Sequence, residues 1–158
     1  MDNRQSQRPI AVLLVEDDKS YVKVVQHQLK RFPSSEFQLT WKESVEDALA
    51  ELRDEPTFDV ILTDYHFPSS NGLEFCLQLN EMGNQIPIVI ITATRDIKLA
   101  IDAMRLGVED FLLKEDLGES HLPRTIMNVV ERVATRKQMH SVENRMTIAE
   151  KRAQAIRE

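Results

Sequence analysis

The chain has 158 residues, of which 42% are hydrophobic and 29% charged. This length suits one α/β core of ordinary size and leaves roughly 30 to 40 residues beyond it. The single cysteine, Cys76, excludes a disulfide framework and a multi-thiolate metal site, and we expect a buried core thiol. No apolar run approaches the roughly 20 residues that cross a bilayer, and the stretch Met1 to Pro9 is polar, so we expect a cytoplasmic protein without membrane contact.

Charge is unevenly distributed along the chain. The formal net charge is −6; residues 1–118 carry 12 Lys and Arg against 21 Asp and Glu, whereas residues 119–158 carry 8 against 5. An acidic body repels phosphate backbones, and the basic residues of the tail alternate with acids. We therefore do not expect direct binding to nucleic acid.

Five segments have the composition of β-strands. Ile10–Val15, Phe58–Leu62 and Ile86–Ile91 are apolar and rich in β-branched residues, as strands buried on both faces are, and Phe111–Leu113 is a shorter segment of the same kind. Apolar and polar residues alternate over 37–41, which predicts a half-exposed edge strand. The buried segments indicate a parallel sheet.

Each interval between these segments has apolar residues at helical spacing. Strand and helix therefore alternate, which is the pattern of a doubly wound parallel sheet with right-handed crossovers, whose sites lie at the carboxyl ends of the strands. The last of these helices is expected to end at Gly107. The apolar positions are Val22, Val25 and Leu29; Val45, Leu49 and Leu52; Leu73, Leu77 and Met82; and Leu99, Ala103 and Leu106.

One extended helix is predicted from Ser120 onward, since no Gly follows this residue and no Pro follows Pro123. Its first part should pack on the body through Ile126, Val130 and Val133. Later apolar residues are spaced 3, 4, 3, 4, 3, which is the a/d pattern of a coiled coil and favours a dimerising or connecting helix over a frayed amphipathic tail. These residues are Met139, Val142, Met146, Ala149, Ala153 and Ile156.

Polar residues follow four of the predicted strands and should converge at one edge of a parallel sheet. Crowded carboxylates need a cation, and hard oxygen ligands suit Mg²⁺. A lysine and a hydroxyl beside such a cation would neutralise an incoming phosphoryl group. The residues are Glu16, Asp17 and Asp18 after the first strand, Asp64 after the third, Thr92 after the fourth and Lys114 after the fifth.

Each of these residues also has an ordinary structural explanation. Asp18 or Ser20 could cap a helix, Thr92 could cap another, and Lys114 could be a solvated charge. Their joint occurrence favours a phosphoryl-transfer site. Asp64 is the candidate nucleophile, because a carboxylate is already ionised at neutral pH.

Four segments resemble the receiver domain of two-component response regulators: LLVEDD, FDVILTDYHFPSSNGLEF, IPIVIITA and DFLLKED. The resemblance covers residues 9–130. It implies a flavodoxin-like sheet in the order 2-1-3-4-5 with an extended C-terminal helix. Residues 131–158 would then be a helical extension, a coiled-coil linker to an output domain that this sequence does not contain.

The resemblance also implies the function of the individual residues. Asp64 would accept a phosphoryl group from a histidine kinase or phosphotransfer protein in the presence of Mg²⁺, which would be bound by Glu16, Asp17, Asp64 and the main-chain carbonyl of His66. Thr92 would contact the phosphoryl oxygens and Lys114 would pair with them. The ring of His66, together with Thr94, would influence the lifetime of the acyl phosphate without binding the metal.

A conformational switch is implied as well, in which Thr92 moves toward the phosphoryl group and Phe111 turns inward; Phe111 could instead be ordinary core. Gly72 fits a turn whose backbone conformation is closed to other residues. Glu115 departs from the family, in which proline usually follows the lysine in a cis peptide. The Lys114–Glu115 peptide is therefore expected to be either trans or a strained cis peptide.

We expect a switch and not a turnover enzyme, although the site would assist its own phosphorylation and dephosphorylation. The main alternative is a constitutive, phosphorylation-independent module that dimerises through the C-terminal helix. An aspartyl phosphatase is disfavoured because His66 stands where such enzymes place a second acid. A DNA-binding regulator would need a recognition domain that about 30 residues of single helix cannot supply.

Overall fold

Five parallel strands in the order β2-β1-β3-β4-β5 form the sheet in the computed structural model, which describes residues 8–54, 58–118 and 120–157. The strands are β1 Ile10–Val15, β2 Phe37–Lys42, β3 Val60–Asp64, β4 Ile88–Thr92 and β5 Asp110–Leu113. The helices are α1 Lys19–Arg31, α2 Val45–Arg53, α3 Gly72–Glu81, α4 Ile97–Arg105 and α5 His121–Arg157, with a short 3-10 helix at Lys114–Asp116. The doubly wound architecture and the strand order are those predicted.

Strands β3 and β4 begin two residues later than predicted and end two residues and one residue later, respectively. The segments Phe58–Leu62 and Ile86–Ile91 correspond to strands Val60–Asp64 and Ile88–Thr92. Pro87 has no N–H to donate to the ladder, which accounts for the later start of β4. Asp64 and Thr92 are consequently the last residues of β3 and β4. The sheet therefore fixes the backbone of both residues.

The sheet separates two apolar layers. One layer is covered by α1 and α5, and the other by α2, α3 and α4. Cys76 lies in the second layer and is buried, as expected. The edge strand β2 has no fully buried residue, which agrees with its alternating sequence.

Local sequence signals explain how the helices begin and end. Asp18 is the N-cap of α1, because its carboxylate accepts a hydrogen bond from the Ser20 N–H. Thr92 is not a cap, since α4 begins after Asp96, whose carboxylate accepts from the Leu99 N–H. Gly107 follows α4 with φ +89°, the left-handed conformation that favours glycine, so this predicted helix end is confirmed.

Helix α5 is a continuous helix of 37 residues. Ile126 is buried, and Val130 and Val133 pack against the same core cluster, as predicted. From 134 to 155 every side chain is exposed; the side chain of Ile156 lies outside those described. None of the described helices combines the length and the apolar character that crossing a membrane requires.

Glu109 fastens α5 to the start of β5. Its carboxylate accepts hydrogen bonds from Arg132 and Arg136, and its main-chain carbonyl accepts a further one of 3.0 Å from Arg132. Burial alone would raise the pKa of Glu109, but the hydrogen bonds and charges of Arg136 and Arg132 outweigh it and hold the pKa below its ordinary value of 4.5. We call these three residues the Glu109 clamp.

Because its folded-state pKa is lowered, Glu109 contributes stability above pH 4.5, and this contribution is lost as the pH falls through the folded-state pKa. We expect Glu109→Gln to lower the free energy of unfolding by about 1 kcal/mol at neutral pH. Urea unfolding should show the difference from wild type shrinking below pH 4.5.

The matched control is Glu131→Gln, which removes an exposed acid from α5 beside Arg132 and should leave the free energy of unfolding nearly unchanged. If Glu109→Gln lowers the free energy of unfolding by the same amount in acid and at neutral pH, the clamp does not act through charge.

Candidate functional site

Three acidic side chains meet at the carboxyl edge of the sheet. Glu16 immediately follows β1 and is 1% exposed, while Asp64 ends β3 and is also buried. Each of Glu16, Asp17 and Asp64 offers a carboxylate oxygen, and these three atoms lie within 4.8 Å of one another. Burial of two acids beside a third is electrostatically costly unless cations compensate.

Lys114 supplies one such cation. It begins the 3-10 helix after β5, and its Nζ lies 3.0 Å from Oε2 of Glu16 and 3.2 Å from Oδ2 of Asp64. The same ammonium lies 4.3 Å from the centre of the Tyr21 ring, on the first turn of α1, which is a cation–π contact. The ammonium therefore joins the ends of β1, β3 and β5.

The environment changes the protonation equilibria of this pair. Burial raises the pKa of Glu16 to about 7, the negative charge of Asp64 adds to this, and the hydrogen bond from Lys114 opposes it. Burial alone would lower the pKa of Lys114, but the hydrogen bond to Glu16 and the charges of Asp64 and Glu16 raise it. Lys114 therefore remains charged, and ionisation of Glu16 depends on cationic compensation.

Main-chain and side-chain hydrogen bonds fix both buried acids. The Asp18 N–H donates to Oε1 of Glu16 over 3.1 Å, and the Trp41 indole N–H donates to the main-chain carbonyl of Glu16 over 2.7 Å. The Tyr65 N–H donates to Oδ1 of Asp64 over 2.7 Å. Both carboxylates are thus held by backbone N–H groups on one oxygen and by the ammonium on the other.

Gly72 is required here for space and not for an unusual backbone conformation. A Cβ atom at this position would lie 3.0 Å from the main-chain oxygen of Asp64 and 3.2 Å from Cα of Tyr65. The φ angle of Gly72 is not in the positive region that Gly83 and Gly107 occupy, so our expectation of a conformation closed to other residues is wrong. Close approach of α3 to the end of β3 is the physical reason for glycine.

Two hydroxyl groups and an imidazole lie beside the acids. Thr92 is fully buried at the end of β4, next to the end of β3, because Asp64 pairs with Ile91 in the sheet register. Its Oγ1 accepts from the Thr94 N–H over 3.2 Å, and Oγ1 of Thr94 is joined by a 2.9 Å hydrogen bond to Nε2 of His66. The His66 ring is exposed and does not belong to the acidic cluster.

The remaining predicted residues lie on β5 and just after it. Phe111 pairs with Ile90 in the register and is partly buried against the core cluster under α3 and α4. The Lys114–Glu115 peptide is trans. The Glu115 carboxylate accepts a hydrogen bond from Arg95, and Arg95 also pairs with Asp116. Glu115, which stands where the family usually has proline, therefore connects the loop after β5 to the loop after β4.

Three contributing residues were not predicted: Tyr21, Trp41 and Arg95. Tyr21 lies four residues after Asp17 on the first turn of α1, and an aromatic at that spacing is a signal that could have placed it over the site. Trp41 was assigned only to an edge strand, and nothing in its spacing reveals the bond to a main-chain carbonyl. Arg95 acts through Glu115, whose departure from the family pattern was the available signal.

Comparison with known proteins identifies the family that shares this arrangement. The family model described as the response regulator receiver domain matches residues 12–144. Transcriptional regulatory protein ZraR of Salmonella typhimurium is 30% identical over 105 residues, which are 66% of this chain and 23% of that protein. Response regulator ArlR of Staphylococcus saprophyticus is 30% identical over 104 residues, 65% of this chain and 44% of that protein. The chain thus spans less than half of these two relatives.

Solved structures agree with the sheet topology. The crystal structure of FixJ-N has a TM-score of 0.69 and 26% identity, and the match covers 79% of this chain and 96% of that one. The receiver domain of Francisella response regulator 1452 has a TM-score of 0.69 at 22% identity, covering 79% and 98%. At the latter identity the likeness concerns the fold alone.

The Tyr21 hydroxyl generates a prediction about stability, because it is buried and has no hydrogen-bond partner among the described protein atoms. Tyr21→Phe removes this unsatisfied group and keeps the ring face beneath Lys114. We expect the free energy of unfolding in urea to rise by about 1 kcal/mol.

Tyr21→Leu is the matched comparison, since it also removes the hydroxyl but loses the cation–π contact, and it should be less stable than Tyr21→Phe. A Tyr21→Phe variant that is less stable than wild type would indicate that the hydroxyl makes a stabilising bond.

Proposed function

This chain belongs to the response regulator receiver domain family, a family of signalling domains, and on that premise we propose that Asp64 is its phosphoacceptor. The observation that carries the proposal is the position of the Lys114 ammonium, 3.2 Å from Oδ2 of Asp64 at the acidic edge of the sheet. The donor would be a histidine kinase or a phosphotransfer protein, in the cytoplasm where such donors present phosphohistidine.

The proposed transfer requires no general base. A carboxylate oxygen of Asp64 forms a bond to phosphorus while the P–N bond of phosphohistidine breaks and its electron pair leaves with the imidazole nitrogen, which takes a proton from solvent. Lys114 would exchange part of its contact with Asp64 for the incoming phosphoryl oxygens, and the hydroxyl of Thr92 would donate to another of them. Water would later attack phosphorus and break its bond to the Asp64 oxygen, which releases inorganic phosphate, restores the carboxylate and leaves the proton of the water with phosphate or solvent.

The residues present fit a magnesium ion. Glu16, Asp17 and Asp64 provide carboxylate oxygens within 4.8 Å of one another, and such hard oxygen ligands are those that Mg²⁺ prefers. The main-chain carbonyl of His66 would complete the protein ligands from the loop after β3. The bound ion would neutralise the carboxylates and the phosphoryl oxygens, because three acids face a single ammonium.

The response to phosphorylation would involve two of the predicted residues. Thr92 would move toward the phosphoryl group, and Phe111, which is only partly buried, would turn inward from β5. The protein would make different contacts with phosphorylated Asp64 in the two conformations, and this difference would shift the equilibrium between them. Residues 9–130 would form the receiver unit, and residues 131–158 would connect it to an output domain or to a second copy.

The alternative of a constitutive module has less support. A protein that signals only by dimerisation has no need of the buried acid and lysine pairs described above, which cost free energy to bury. The intact contact between Lys114 and Asp64 therefore favours phosphorylation.

Asp64→Asn should abolish phosphorylation, because an amide is a far poorer nucleophile than a carboxylate. With Mg²⁺ and acetyl phosphate, the intact mass of wild type should increase by one phosphoryl group, and the variant should show no increase.

Asp110→Asn is the matched control. It makes the same substitution at the opposite end of the sheet, where a side-chain oxygen accepts from the Phe111 N–H over 2.8 Å and the asparagine carbonyl can replace it. Phosphorylation should persist in this control. Labelling that survives Asp64→Asn, or wild type that takes up no phosphoryl group, would contradict the proposal.

Metal binding can be measured without phosphorylation. Trp41 is the only tryptophan of the chain, and its indole binds the carbonyl of Glu16, so Mg²⁺ should change its fluorescence. Asp17→Asn should raise the Kd by about tenfold or more.

The control for this titration is Glu81→Gln at the far end of α3, an exposed acid away from the site; its Kd should equal that of wild type. If Asp17→Asn binds Mg²⁺ with the same Kd as wild type, Asp17 is not a ligand of the ion. The assignment of Asp64 as phosphoacceptor would not be affected, because the mass experiment tests it separately.

A further inference from the structure

Beyond Val133, helix α5 presents an apolar stripe that the body does not cover. Met139, Val142 and Met146 are 60%, 53% and 59% exposed, and with Ala149 and Ala153 they continue at spacings of 3 and 4 residues. We call these five residues the α5 seam. In heptad terms Met139, Met146 and Ala153 occupy a positions, and Val142 and Ala149 occupy d positions.

Charged residues flank the seam with opposite signs on its two sides. Glu143 and Glu150 occupy e positions, whereas Arg145 and Arg152 occupy g positions. Two antiparallel copies would bring e against e and g against g, which places acid against acid and arginine against arginine. Two parallel copies in register bring each g position against the e position of the next heptad in the partner.

The parallel arrangement therefore pairs Arg145 of each helix with Glu150 of the other, twice by symmetry. At the last heptad the corresponding pair would be Arg152 and Arg157, of like charge, so the Arg145 pairs decide the orientation. The same charges disfavour an antiparallel partner helix, in which residues of like charge would face each other.

The seam begins only where α5 leaves the body. Arg132 and Arg136, about two turns and one turn before Met139, are bound to Glu109 in the clamp. Their side chains are directed toward the receiver body of their own chain, so pairing between helices starts beyond them. The helix direction at that point is fixed by the body and not by the partner.

We propose that the α5 seam pairs with a second copy of this chain as a parallel, in-register, two-stranded coiled coil. The evidence is the uncovered apolar stripe together with the complementary charges that only this arrangement provides. The proposal does not depend on phosphorylation of Asp64.

The first test is the oligomeric state of the whole chain by sedimentation equilibrium. Wild type should dimerise, and Met146→Lys should lose the dimer because it buries a charge in the seam. Ile148→Lys is the matched control: Ile148 is 53% exposed on the same helix but lies outside the seam, and its dimerisation should be unchanged. Circular dichroism should show the same folded body in all three.

The second test distinguishes the orientation. Arg145→Glu and Glu150→Arg should each weaken dimerisation by about tenfold, because each makes two like-charge pairs, and the double variant should restore it. In an antiparallel pair centred on the seam, Arg145 would face Arg152 and Glu150 would face Glu143, so each single change would relieve a repulsion and strengthen dimerisation, and no such rescue would occur.

The third test is a cross-link at the start of the seam. Met139→Cys should form a disulfide-linked dimer under mild oxidation, since a parallel register places the two residues opposite each other; in an antiparallel pair they would lie about 25 Å apart. Asn144→Cys, on the outer face, is the control, and wild type with buried Cys76 is the blank.

A monomer at every concentration, a dimer that survives Met146→Lys, or a Met139→Cys variant that does not cross-link would each overturn the proposal. A dimer that survives Met146→Lys would further indicate that another surface, such as the exposed apolar residues of α4, makes the contact.

Discussion

The contact of one ammonium with two buried carboxylates is the interaction on which the site depends. Lys114 reaches both Glu16 and Asp64 and thereby joins three strand ends that have no other direct ionic link in the described part of the chain. A buried ion pair contributes little net stability, since desolvation offsets most of its attraction. Its presence at the carboxyl edge is therefore better explained by chemistry than by folding.

The same contact leaves the site with an unbalanced charge. Asp17 adds a third carboxylate, so that the acids exceed the single ammonium by two charges when all are ionised. Even with Lys114 beside it, burial raises the pKa of Glu16 to about 7, so one ammonium does not compensate the buried acids fully. A divalent cation supplies the missing charge, and a phosphoryl group then brings its own negative charge to a site already provided with cations.

The fold and the central residues of the site could be predicted because their signals are periodic or local. Apolar runs located the strands to within two residues, and the polar residues at their ends meet where parallel strands end. The contacts of Trp41 and Tyr21 could not be predicted, because they depend on how β2 and α1 pack beside Glu16. The role of Gly72 was misjudged for a similar reason: the sequence indicates glycine, but only the structure shows that the limit is the space beside Asp64.

Because α5 is long, a small change in its direction at the body produces a larger displacement at its far end. Helix α5 continues for 24 residues beyond Val133, and at 1.5 Å per residue they extend about 36 Å. A tilt of about 10° at Val133 would therefore move the far end by about 6 Å. Glu109 of the clamp lies close to this pivot and directly precedes β5, the strand that carries Phe111. A change at β5 therefore acts near the pivot, and the exposed length of α5 enlarges it at the seam.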